Sequence, residues 1–432
     1  GSASGEKGML ALACVSGGRE CVRMAERYIR KHYGQRMAQS KALIEVLAWI
    51  DHPLGIQGRW SIANGFRTKA LQKAAREHVN AMAEREGWTL DQLADRTIPD
   101  CGFARATNEQ GEPVGTEAKM ILDYGGRKFT VTLNDDLQPV ITNEEGKTLK
   151  NPPAAGKSDD AEQVKEAKKQ YSEGKKMVKE GVKQQSLRMY EALCTQRAWP
   201  VEEWQRYLAE HPVMGRLCTR LVWSVFEDDK LVGCFRPLED GSLTNEEDDE
   251  VTLNSGSTVR LAHTCNVPKK VGEAWSQHLQ DYDVAPLFEQ FGRETFELPK
   301  GQEEETQLND FEGHMVRTFQ IRSKANKLGY VRGEAYDGGG FSTYHKSFPS
   351  LSIKATIHFT GSYVPEEDMS AALISLTFSQ LKKEETSEWD EILIPLGKVP
   401  PVLLSECYND IKQIAEMGTG FDEKWQEKSW QY

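Results

Sequence analysis

Tyr330-Val-Arg-Gly-Glu-Ala-Tyr336, Asp337-Gly-Gly-Gly340 and Phe341-Ser-Thr-Tyr-His-Lys-Ser-Phe348 form the stretch that decides the fold class. Two strand-like runs flank a glycine-rich turn, and residues 351–360 and 372–378 supply two further strands. Residues 401–417 then read as a closing helix, so 329–432 is expected to form an α+β unit.

Upstream, residues 158–328 read as a central α+β domain. Asp159-Asp-Ala-Glu162 is a capping box, and it opens a long bridging helix whose Val164, Tyr171, Val178, Val182, Met189 and Leu193 recur at spacings of seven and four. Its lysines are interleaved with glutamates, the pattern of a solvated face rather than a phosphate-binding stripe. Short helices are expected after Trp199-Pro200 and His211-Pro212. Two hairpins follow, one around residues 227–230 and one pairing 250–253 with 257–261, and then helices at 271–280, 286–292 and 311–328.

Residues 91–157 hold a small meander of three strands between Lys119 and Ile141, bounded by a proline- and glycine-rich connector. Residues 8–90 are helical: Leu43, Val46, Leu47 and Ile50 make one apolar face, and a later helix carries Leu71, Ala75, Val79 and Met82. Antiparallel helices of this length suggest the end of a HEAT-like array, interrupted between Gly58 and Gly65. The whole reads as α+β, a HEAT-like helical segment followed by mixed helix and antiparallel-sheet domains. Gly1-Ser2-Ala3-Ser4-Gly5 looks like a cloning remnant, and the helix beginning at Lys7 has no start signal, so a piece of a longer chain is expected.

The chain has 432 residues and a net charge of -12, with 38% hydrophobic and 28% charged residues. That acidity argues against nucleic acid as the main partner, because phosphate binding needs concentrated Lys and Arg. No apolar run approaches the roughly 18 residues of a membrane span. The eight cysteines are scattered without a C-x-x-C pair, as expected of reduced thiols in a cytoplasmic protein.

Leu93-Ala-Asp-Arg-Thr-Ile-Pro-Asp-Cys-Gly-Phe103, Cys194-Thr-Gln-Arg-Ala-Trp-Pro200, Val259-Arg-Leu-Ala-His263, His278-Leu-Gln-Asp-Tyr282 and Pro286-Leu-Phe-Glu-Gln290 together resemble the bacterial family called domain of unknown function 4132, which includes molybdate metabolism regulator-like proteins. Leu396-Gly-Lys-Val-Pro-Pro401 resembles the unit that closes those chains. The resemblance implies a cytoplasmic protein with helical repeats and transfers no reaction and no catalytic residues.

The most suggestive polar cluster is Arg260, His263, Trp275, His278, Asp281 and Tyr282. His263 beside Asp281 could exchange protons, and Arg260, His278, Tyr282 and Arg332 could bind an anion. Capping of a strand-to-helix junction is the commoner use of such residues. The Asp337-Gly-Gly-Gly340 turn lacks the P-loop pattern, although Arg332, Asp337, Tyr344 and Lys346 could line a groove. No ligand spacing for a metal and no cofactor motif is present, so neither is expected. The expected function is a cytoplasmic scaffold or regulatory module docking a protein partner or other domains of its own chain. The rival is an enzyme or sensor for a nucleotide-like or ADP-ribose-like anion.

Overall fold

The computed structural model describes residues 24–25, 28–29, 32, 36–48, 69–107, 113–292, 294–336, 338–381 and 391–429. Among them helices and antiparallel strands combine in an α+β arrangement of three sheets. Helices α1 (Met37–Ala48) and α2 (Lys69–Glu86) pack together, with Ile44, Leu47, Ala75 and Val79 buried. Most of the helix expected from Lys7, and the Gly58–Gly65 interruption, lie outside the described residues. Helix α3 (Leu90–Arg96) opens on a capping box, in which Thr89 Oγ1 accepts from Gln92 N–H and the Gln92 side chain accepts from Thr89 N–H.

The meander has five strands in sequential order: β1 (Ala104–Thr107), β2 (Pro113–Asp123), β3 (Lys128–Leu133), β4 (Pro139–Asn143) and β5 (Thr148–Leu149). Its edge strands, of 4 and 2 residues, are too short for a period-two pattern to register, which is why three were expected. Helix α4 (Ala161–Thr195) runs for 35 residues, about 52 Å at 1.5 Å per residue. Its N-cap is Asp160, which accepts from Gln163 N–H, whereas the preceding Asp159 pairs with Arg127 at 2.5 Å. The apolar seam is buried at Val164, Tyr171, Val178, Met189 and Leu193. Gly174 lets this helix lie directly on the meander: a Cβ there would stand 2.8 Å from the Cys101 carbonyl oxygen and would clash with Met120 Cε.

The central sheet has the order β6-β10-β7-β8-β9, from β6 (Trp199–Pro200), β7 (Trp223–Glu227), β8 (Lys230–Pro237), β9 (Leu243–Thr244) and β10 (Thr258–Leu261). The β7–β8 hairpin turns on Asp228 and Asp229, both at positive φ. The second hairpin is not formed. Around residues 245–249 the Asn245 side chain accepts from Glu247 and Asp249 N–H, and this turn leaves only an isolated bridge between Glu250 and Thr244. Helices α5 (Val201–Trp204) and α6 (Met214–Cys218) precede the sheet, and α7 (Lys269–Asp281) follows it.

Residues 286–292, expected as helix, are irregular because Gln290 substitutes for a strand. Its side chain accepts from Val222 N–H at 2.9 Å and donates to the Val222 and Ala262 carbonyls at 2.8 Å each. The helix expected over 311–328 starts later: β12 (His314–Arg317) pairs Met315 and Val316 with Ala372 and Ala371, and only then does α8 (Thr318–Lys327) begin.

The C-terminal sheet runs β13-β14-β15-β16-β12-β17, with β11 (Gln307–Leu308) also on β16. Its strands are β13 (Val331–Arg332), β14 (Gly340–Phe348), β15 (Ile353–Tyr363), β16 (Ser370–Gln380) and β17 (Gly420–Phe421), and α9 (Pro401–Ala415) packs against it. The 330–336 run is strand only at its first two positions after Tyr330, and Asp337 lies outside the described residues.

One apolar core joins the meander, α4 and the central sheet, and a second fills the C-terminal unit. Helices α4 and α9 belong to both. Leu193 and Val402 lie in the first core, Cys194 and Leu403 in the second.

Candidate functional site: a buried chain between two clefts

Where α4 meets α9 the apolar cores give way to a run of polar side chains. The i, i+4 pair Glu406 and Asp410 projects from α9, Tyr190 comes from α4, Lys346 from β14, and His263 from the loop after β10. That loop is fixed by backbone bonds from Asn266 N–H and Val267 N–H to the His263 carbonyl.

Glu406 and His263 are each 1% exposed. Tyr190 donates its hydroxyl to Glu406 Oε2 at 2.6 Å, and His263 Nε2 lies 3.2 Å from Glu406 Oε1. The other ring nitrogen, Nδ1, accepts from Cys265 N–H at 3.1 Å, which leaves the proton on Nε2 and makes that nitrogen the donor. Burial pushes the His263 pKa down, but the Cys265 side chain and Glu406 outweigh it, and the net shift is upward. Tyr190 is held well above the ordinary phenol value, first by burial and then by the acidic groups around it.

Two clefts flank this chain. One, of about 930 Å³, lies between the central and C-terminal units and is lined by Cys265, Lys269, Phe296, Val399 and Leu404. The other, of about 660 Å³, is lined by Tyr190, Lys346, Phe348, Asp410, Leu187 and Phe288. The Tyr190–Glu406–His263–Cys265 sequence of contacts therefore runs from one cleft to the other.

The residues singled out from sequence separate into distinct places. His263 is in the chain above, whereas Asp281 accepts from Gln277 at 2.7 Å near the exposed end of α7; no hydrogen bond joins the two. His278 meets Arg236 instead: its Nε2 accepts from Arg236 Nε at 3.4 Å, and its Nδ1 faces Asp248 Oδ1 at 3.4 Å. Burial and then the guanidinium lower the His278 pKa. Tyr282, 53% exposed, packs on the His278 ring. Arg260 pairs with Asp229 at 2.9 Å and lies over Phe226. Arg332 belongs to the other sheet, 3.8 Å from Glu366 and over Phe341. Arg260 and Arg332 thus do not form one anion site with His263. Among the described residues no group of three His, Cys, Asp or Glu side chains is placed to hold a metal ion.

Sequence reasoning missed Glu406, Tyr190 and Asp95. A carboxylate inside the apolar run Val402-Leu-Leu-Ser-Glu-Cys407 is the signal that could have found the first. Asp95, 4% exposed, accepts from Arg188 at 2.7 Å, from Arg197, and from Trp199 Nε1 at 2.9 Å. Asp95, Arg197, Trp199 and Gln290 all lie in the stretches that carry the family resemblance, and each ties one element to another.

Residues 146–330 match the family model described as Domain of unknown function (DUF4132). The chain is similar to the uncharacterized protein YehI from Escherichia coli (strain K12), at 24% identity over 365 residues. That alignment covers 82% of this chain and 29% of the relative, so the chain spans less than a third of the curated relative it matches. No solved structure matches it.

Proposed function

We propose that this chain is a regulatory or scaffold module of a cytoplasmic bacterial protein, related to the molybdate metabolism regulator-like proteins, which docks a protein partner or further domains of a longer polypeptide. The observation that carries this reading is the mutual saturation of Tyr190, Glu406 and His263. Both His263 nitrogens are engaged and the ring is 1% exposed, so its polar atoms are used to join two units and are not presented to a substrate. The N-terminal helices, read as the end of a HEAT-like array, offer exposed apolar positions at Met24 and Leu90 for a neighbour to cover. Among the described residues no helix is long and apolar enough to cross a membrane.

The test measures affinity for the partner or the adjoining domains. His263→Ala is expected to leave it within about threefold once allowance is made for stability, while Met24→Glu with Leu90→Glu lowers it more than tenfold. Turnover of a nucleotide or ADP-ribose by the purified chain, abolished by His263→Ala, would overturn the reading.

One observation favours the rival enzyme or sensor reading. Cys265 is only partly buried, lines the larger cleft and touches the His263 ring edge, an arrangement in which imidazole could assist a thiol. Alkylation by iodoacetamide distinguishes the two: a Cys265 rate reduced tenfold by His263→Gln supports the rival, and an unchanged rate supports docking.

A further inference from the structure

We propose that the 660 Å³ cavity between α4, α8, β14 and α9 binds a small organic anion, a carboxylate or phosphate on a compact apolar or aromatic body, with Lys346 as its anchor. This goes beyond the docking reading and does not depend on it.

The Lys346 side chain is 14% exposed, and its ammonium has three N–H donors to place. Its nearest carboxylate oxygen, Asp410 Oδ2, is 3.6 Å away, and among the described residues its Nζ makes no hydrogen bond. Three rings surround it instead: Tyr190 at 4.8 Å, Tyr330 at 5.4 Å and Phe348 at 5.6 Å from Nζ to ring centroid. Aromatic faces stabilise the positive charge but give its N–H groups no oxygen acceptor. Burial opposes the charged form, yet Asp410 and its neighbours outweigh it and Lys346 stays an ammonium. A largely buried cation at the wall of a cavity, whose acid partner Asp410 stands beyond hydrogen-bond distance, has N–H donors available to an oxygen acceptor entering that cavity.

The rest of the lining fits that occupant. Leu187, Leu287, Phe288, Leu328 and Phe348 supply apolar wall for a ring or short aliphatic body. The volume lies within the roughly 300–1,000 Å³ typical of small-ligand pockets. Lys183 and Lys327 are exposed lining residues with no ion-pair partner among the described residues, and they would draw an anion inward. Glu191, Glu289 and Asp410 also line the cavity, and burial and then Asp91 raise the Glu191 pKa.

The experiment is titration calorimetry of the full chain with benzoate, phenyl phosphate and the neutral isostere benzamide. Benzoate or phenyl phosphate is expected to bind at one site, the better of the two identifying which acidic group the cavity takes, with benzamide at least tenfold weaker. Lys346→Met is expected to weaken the anion at least tenfold. If that variant does not fold, Lys183→Ala with Lys327→Ala, both on the surface, is expected to weaken it three- to tenfold and to reduce its salt dependence. Equal binding of benzamide would overturn the anionic assignment. No binding by any probe, or anion binding unchanged in the folded variants, would overturn the site.

Discussion

His263 and His278 each stand beside a carboxylate, and the two clusters nevertheless behave in opposite ways. Glu406, the partner of His263, is 1% exposed and accepts a second bond from Tyr190, whereas Asp248, the partner of His278, has a side chain 57% exposed. A guanidinium, that of Arg236, approaches His278 at its second nitrogen, where His263 has a backbone N–H. Burial lowers both pKa values; Arg236 lowers that of His278 further, whereas the Cys265 side chain and Glu406 bring that of His263 above its ordinary value. What decides the role of each ring is the third group and its access to water, not the presence of an acid nearby.

The sharpest way to break this contrast is to remove each acid. Glu406→Ala leaves Tyr190 and His263 without their acceptor in a dry interior, and a loss of about 3–5 kcal/mol is expected from urea denaturation. Asp248→Ala removes a solvent-screened partner and is expected to cost less than about 1 kcal/mol. Equal losses would erase the distinction.

Titration separates the two rings more finely. Because the folded pKa of His263 is raised, its contribution to stability is complete below the unfolded value of about 6.5 and is lost as pH rises through the folded value. His278 has the opposite sign: its contribution is present above about 6.5 and is lost as pH falls through its lowered folded value. Proton NMR of the two rings is expected to show His263 titrating above His278, and the reverse order would contradict the assignment of partners. The smallest effect belongs to Arg260→Ala, which removes an ion pair whose Asp229 side chain is 90% exposed. A change of no more than about 0.5 kcal/mol is expected.

The sequence made the α+β class, α4, the β7–β8 hairpin and α9 legible, because each carries a period or a turn signal over enough residues to stand out. It misplaced 286–292, where Pro286 and the apolar pattern suggested helix but Gln290 bonds to the backbones of Val222 and Ala262. It misplaced 311–317 for a related reason, since pairing of Met315 and Val316 with β16 overrides local preference. Of the site, His263 was legible as a histidine near an arginine and a tyrosine. Its actual acid lies 143 positions away, a separation no local pattern encodes. Lys346 was visible as a groove candidate, but the aromatic cage around it assembles from α4 and β14 together with Tyr330, which directly precedes β13.

The most direct test of the central claim, that the Tyr190–Glu406–His263 chain locks the central unit to the C-terminal unit, is hydrogen exchange read by mass spectrometry on Glu406→Gln. Protection is expected to fall together in three places: α9, the last turns of α4, and the 262–267 loop. Loss confined to α9, with the α4 and loop amides as protected as in the unaltered chain, would contradict it.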